Sequence, residues 1–209
     1  MKTDDLIDLL VTDTGGATPL AGRIRAAFAI GVAFSVLLLL ATIGARPDLV
    51  AALATPRVQF KIGFTLLLAL SAGAVAARAG VPGARLRAWP LALPALVLAL
   101  GVGAELVVSP PGTWGTRLVG AHAAFCVFFI PVLSIAPLAA LIRALREGAP
   151  DNPGRAGAFA GLAAGSLAAA IYAWHCPDDS PLFVASWYVI GMAIVTAAGG
   201  IIGRRALRW

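Results

Sequence analysis

Within seven residues, His175-Cys176-Pro177-Asp178-Asp179-Ser180-Pro181 sets an imidazole and a thiol beside two carboxylates. The only other cysteine, Cys126, follows the only other histidine, His122, by four residues. In a chain that is 60% apolar and 12% charged, such groups are scarce, and their grouping into two loci marks them as candidates for chemistry. Two chemistries suit them. Cys126 and Cys176 can form a disulfide or a reversible dithiol if they face an oxidising compartment and their Cα atoms come within about 7 Å. Alternatively, Cys126, Cys176, His122 and His175, with nearby carboxylates, can gather a divalent or soft metal ion such as zinc or copper. Neither cysteine lies in a CxxC, and HxxxC is a weak metal pattern. The plainer alternatives are a cysteine that packs as a small apolar residue and an Asp178 or Asp179 that only caps the next helix.

The elements that position these groups are apolar runs of about 20 residues, the length that crosses a bilayer as a helix. Six such runs are read: 24–44, 58–77, 89–108, 117–140, 156–174 and 182–203. Only helices satisfy their own backbone within one span, so the expected fold is all-α, a polytopic membrane bundle of six helices. Lys and Arg set its orientation. Lys2, Arg23, Arg25, Arg78, Arg85, Arg87, Arg143, Arg146, Arg155, Arg204, Arg205 and Arg208 fall on one side; Arg46, Arg57, Lys61 and Arg117 fall on the other. Twelve against four places both termini in the cytoplasm. The net charge of +6 is thus spread as membrane flanks, not clustered as a nucleic-acid patch needs to be, and no direct nucleic-acid binding is expected. The expected organisation is a cytoplasmic segment and tether over 1–22, a membrane domain over 23–204 and a basic tail over 205–209. There is no Walker loop, dinucleotide fingerprint or HExxH.

This topology collects the reactive groups in the outer third of the bundle. The third span ends near Val108, so Glu105 lies one turn inside it. A carboxylate within a span is costly and is a functional candidate by default, with an Arg117 ion pair as its structural alternative. The fourth span runs inward, which puts His122 one turn down, Cys126 two turns down, and both on one helix face. The fifth delivers His175 and Cys176 at its exit. The Pro131 and Pro137 positions predict kinks in the fourth span. The small residues Gly157, Gly161, Gly165 and Ala169, spaced by four, predict close helix packing, within the chain or across a homodimer. Trp89, Trp114, Trp174, Trp187 and Tyr188 are read as an interfacial aromatic belt.

At the other end, Met1 to Asp13 carries four Asp and one Lys. Thr3 followed by Asp4 and Asp5 is a helix start. Leu6, Leu9 and Leu10, with Ile7 and Val11, line one face, and Asp4, Asp5 and Asp8 take the other. Acidic residues do not suit an anionic leaflet. The segment suits a groove with a basic rim on a cytoplasmic protein, with Thr14 to Pro19 as its tether. Its acidic character and the length of the first span do not match a signal peptide.

Four stretches resemble the NrsF-type membrane anti-sigma proteins: Met1-Lys2-Thr3-Asp4-Asp5-Leu6-Ile7-Asp8-Leu9-Leu10; Cys126 with Ile130-Pro131 and Pro137-Leu138; Ala144-Leu145-Arg146-Glu147-Gly148-Ala149-Pro150; and His175-Cys176-Pro177-Asp178-Asp179-Ser180-Pro181. Length and six-span layout agree along the whole chain. The resemblance implies a non-enzymatic regulator in the bacterial inner membrane that holds an extracytoplasmic-function sigma factor and releases it on envelope-side redox or metal stress. It implies Thr3–Leu10 as the sigma-binding element and Cys126 and Cys176 as the sensing pair. His122 and Glu105 match no family motif and rest on the geometric argument alone. The rival from another class is a small membrane redox protein or transporter that uses the outer Cys/His/Glu cluster. Two histidines exclude cross-membrane dihaem ligation, which needs four.

Overall fold

The computed structural model describes residues 20–208, and every regular element among them is helical. The candidate sigma-binding residues Thr3 to Leu10 lie outside the described residues. Six helices are long and apolar enough to cross a membrane: α1 (Leu20–Thr42), α3 (Pro56–Ala79), α4 (Trp89–Val108), α6 (Ala123–Leu145), α7 (Pro153–Tyr172) and α8 (Pro181–Ala206). Two short helices, α2 (Leu49–Leu53) and α5 (Trp114–Val119), sit in the connections. Large apolar side chains such as Leu37, Leu70, Leu100, Phe128 and Ile135 point outward. Water does not favour so wide an apolar exterior, and a bilayer does.

α7 is the central helix. Its residues are the most buried of the six spans, and it packs on α8, α3, α6 and α1. Its small residues permit this. A Cβ on Gly157 would lie 2.7 Å from the Gly203 Cα, and one on Gly161 would lie 2.9 Å from the Thr196 Cα. Gly165 lies against Met192 and Val195. The Gly157/Gly161/Gly165 stripe is therefore filled by α8 of the same chain, and its close packing comes from small side chains, as lipid-embedded helices require. α4 is peripheral and leans mainly on α3.

α6 is continuous through Pro131 and Pro137. Proline 137 lacks the N–H that would bond to the Leu133 carbonyl. Ser35 of α1 supplies the missing donor, its Oγ 2.8 Å from that oxygen. Gly31 of α1 lies against Pro137 at the same level, so the proline site is also where the two helices meet.

The fourth expected span, 117–140, is corrected. The chain makes α5, breaks at Gly120–His122, and restarts as α6 at Ala123. Gly120 has φ of +60°, a left-handed conformation that favours glycine. A side chain there would also meet the Phe183 ring and the Asp178 carboxylate. Tyr188 is corrected too: it is fully buried and does not belong to an interfacial belt.

The termini of α1 and α8 share one end of the bundle, and the 172–181 loop lies at the other. At the terminal end Arg23 pairs with Glu147. There the Ala149 N–H donates to the Gly80 carbonyl at 3.1 Å, and Gly83 N–H donates to Asp151.

Candidate functional site

The two cysteines meet. Cys126 lies one turn inside α6, Cys176 follows the end of α7, and their Sγ atoms are 3.7 Å apart. Both thiols are free and fully buried. A disulfide needs about 2.05 Å between sulfurs, so bond formation requires an approach of less than about 2 Å. The Tyr172 and Tyr188 hydroxyls are buried and have no hydrogen-bond partner among the described residues. A π turn over Val184–Tyr188 at the start of α8 accompanies this placement.

Three segments hold the Cys176 loop. The first anchor is Lys61 of α3, whose side chain has no solvent exposure. Its Nζ donates to the Cys176 carbonyl (2.8 Å), the Asp178 carbonyl (3.2 Å) and Asp179 Oδ1 (2.6 Å). All three ammonium protons are used, which is the condition for tolerating a buried charge. Lys61 also lies over the Tyr188 ring, 5.5 Å from its centroid. The second anchor is Arg46, which donates to Asp179 Oδ2 at 2.8 Å and grips Asp48 through Nε and Nη2. The bonds to Asp48 and then Asp179 hold its guanidinium more firmly protonated than usual. The third anchor is the N-terminus of α6. Asp178 Oδ2 accepts from the Ala121 N–H (3.1 Å) and the His122 N–H (2.8 Å). This carboxylate therefore caps the helix that carries Cys126.

The hydrogen bond with Cys126 holds the Cys176 thiol below its ordinary range, against burial and with help from the Lys61 ammonium. A thiolate there is the attacking form in thiol–disulfide chemistry.

Each expected site residue has a definite place. His122 is not on the α6 face below Cys126. It occupies the N-cap position, outside the helix, with Nδ1 3.0 Å from Asp178 Oδ2. The break at Gly120 causes this. His175 turns away from the thiols, its Nδ1 3.0 Å from the Gly44 carbonyl. Asp178 caps α6, and it is Ser180 that caps α8, accepting from the Leu182 N–H. Glu105 is buried and saturated. Arg57 Nε (3.0 Å), Arg117 Nη1 (3.1 Å) and Ser109 Oγ (3.1 Å) all donate to it. Among the described residues, no three His, Cys, Asp or Glu side chains converge as a metal site needs. The cysteines, histidines and carboxylates share one end of the bundle but divide into separate pairs.

Sequence reasoning missed Lys61, Arg46 and Arg57, which it assigned to membrane flanks. Each is near a span end, where a basic residue is ordinary. Their acidic partners are 118, 133 and 48 residues away. One signal was available: four basic and four acidic groups at an end otherwise poor in charge.

A family model described as "Negative regulator of sigma F" matches residues 10–209. A protein of Azospira oryzae, "Probable anti-sigma-F factor NrsF", is 36% identical over the full length of both chains. "Anti-sigma-F factor NrsF" of Caulobacter vibrioides is 35% identical, again over all of both. No solved structure matches.

Proposed function

The chain belongs to the NrsF family of negative regulators of sigma F, and on that premise we propose that it is a membrane anti-sigma factor whose Cys126–Cys176 pair controls release of its sigma factor. The protein sits in the bacterial inner membrane with both termini cytoplasmic. Residues Thr3–Leu10 bind an extracytoplasmic-function sigma factor by laying Leu6, Leu9 and Leu10 in an apolar groove rimmed by basic residues. Asp4, Asp5 and Asp8 meet that rim. The full-length match to two anti-sigma-F factors supports the regulatory role.

The observation that carries the sensing role is the 3.7 Å contact between two buried thiols from segments 50 residues apart. An envelope-side oxidant would remove two electrons, each thiol would lose a proton, and the Sγ–Sγ bond would close. Dithiol chemistry fits better than a metal ion, because both histidines point to other partners. Closing the bond would pull the Cys176 loop toward α6, and that loop is bonded to α3 through Lys61. α3 ends at Gly80, whose carbonyl accepts from Ala149 at the terminal face. One rigid helix thus joins the cysteine end to the end where the sigma factor would sit.

The test is capture of the sigma factor by detergent-extracted protein, with and without residues 1–13. Full-length protein should retain it. The truncated chain, Leu6→Asp and Leu9→Asp should lose it while staying in the membrane. Unchanged affinity in the truncated chain would remove the tail from the account.

A further inference from the structure

We propose that the groove between α6 and α8 at the terminal end of the bundle is a binding site for an anionic phospholipid. The groove has a volume of about 790 Å³, and its walls include Pro131, Ile135 and Leu138 of α6 and Ile194, Ala198 and Ile202 of α8. Arg143 and Arg146 close its terminal end. Arg146 also lines a second, smaller cup of about 120 Å³ with Ala206, Leu207 and Arg208. An apolar trough therefore opens onto a cup walled by guanidinium groups.

The arginines are free for a ligand. Among the described residues, the Arg143, Arg146 and Arg208 side chains make no hydrogen bond or ion pair, and all three are exposed. Arg23 at the same end is instead paired with Glu147. Three unpaired guanidiniums at one mouth attract phosphate, which guanidinium recognises with two parallel hydrogen bonds. The polar atoms along the trough floor do not compete. Ser134 Oγ is already committed to the Ile130 and Pro131 carbonyls.

The dimensions fit one lipid. From Pro131 to Arg146, α6 rises about 22 Å at 1.5 Å per residue. One leaflet contributes about 15 Å of hydrocarbon, and the remainder matches the headgroup layer. An acyl chain would lie along Ile135 and Leu138, and its phosphate would reach Arg143 and Arg146. Basic pockets between membrane helices hold anionic headgroups in this way. The site rests on the membrane reading of the six helices and is independent of the sigma-factor reading.

The experiment places the full-length chain in phosphatidylcholine nanodiscs containing a minor fraction of phosphatidylglycerol. Lipid that stays with the released protein is counted by native mass spectrometry. The expected result is preferential retention of one phosphatidylglycerol per chain. Arg143→Gln with Arg146→Gln should lower that retention about 30-fold, two charged contacts being lost. Arg85→Gln with Arg87→Gln removes the same charge from the α3–α4 connection, outside this groove, and should change it less than about twofold. Equal retention of both lipids, or equal loss in both double variants, would overturn the site. Phosphatidylglycerol bound only after deletion of residues 1–19 would overturn it in favour of the chain's own acidic segment.

Discussion

Lys61 Nζ lies 2.6 Å from Asp179 Oδ1, and the lysine that reaches it has no solvent exposure. This pair fixes the loop that presents Cys176 to Cys126. The ammonium also binds the Cys176 carbonyl itself, so the position of the thiol depends on a charge from another helix.

Lys61→Met should therefore destabilise the protein by about 3 kcal/mol, in the range for a buried pair that loses one partner. Asp179 keeps Arg46, which limits the damage. Thermal unfolding in detergent measures the loss. The yield of Cys126–Cys176 disulfide with a mild oxidant should fall in parallel. Unchanged stability and unchanged yield together would deny Lys61 its anchoring role.

The Cys176 thiol gives a pH prediction. The hydrogen bond with Cys126 lowers its pKa in the folded protein. The thiolate's stabilising contribution is complete above the unfolded value and disappears as pH falls through the lowered folded value. The rate of disulfide formation with diamide should rise with a midpoint below that of an ordinary cysteine. In Lys61→Met the midpoint should move up. A wild-type midpoint near 9 would show that neither Cys126 nor Lys61 acts on Cys176.

The α7–α8 contact gives a packing prediction. Gly161→Leu forces a side chain into the α8 backbone at Val195 and Thr196, which cannot yield as a side-chain tip would. A loss of about 3 kcal/mol or more is expected, at or above the upper range for overpacking. Gly103→Ala is the control, because nothing lies within 4 Å of its added methyl group. It should be neutral or stabilise by roughly 0.5 kcal/mol, as Gly to Ala does within a helix. Equal effects from the two substitutions, read from thermal unfolding, would contradict the packing account.

The long apolar runs made the six helices legible, and the shared end of the bundle made the meeting of Cys126 and Cys176 legible. The spacing of Gly157, Gly161 and Gly165 announced a close contact, though not that α8 would fill it. The break between α5 and α6 was hidden. Gly120 is a single glycine in an apolar stretch, and membrane helices tolerate glycine. Only its left-handed backbone stops the helix, and the mistake moved His122 from a helix face to an N-cap. Burial of Lys61 was hidden for a different reason. Position near a span end suggests a flank, whereas its partners arrive from a loop 115 to 118 residues away. Glu105 lay between: its Arg117 partner follows from the short connection, and Arg57 requires the α3–α4 packing.

The central claim joins the cysteine pair at one end of the bundle to sigma-factor binding at the other. The most direct measurement is the amount of sigma factor held by the full-length protein before and after stoichiometric oxidation of Cys126 and Cys176, with Cys126→Ser and Cys176→Ser in parallel. The account predicts that the reduced wild type retains the sigma factor, that the disulfide form releases it, and that each serine variant retains it under both conditions. Equal retention by the reduced and oxidised wild type, with the disulfide verified by mass, would contradict the account.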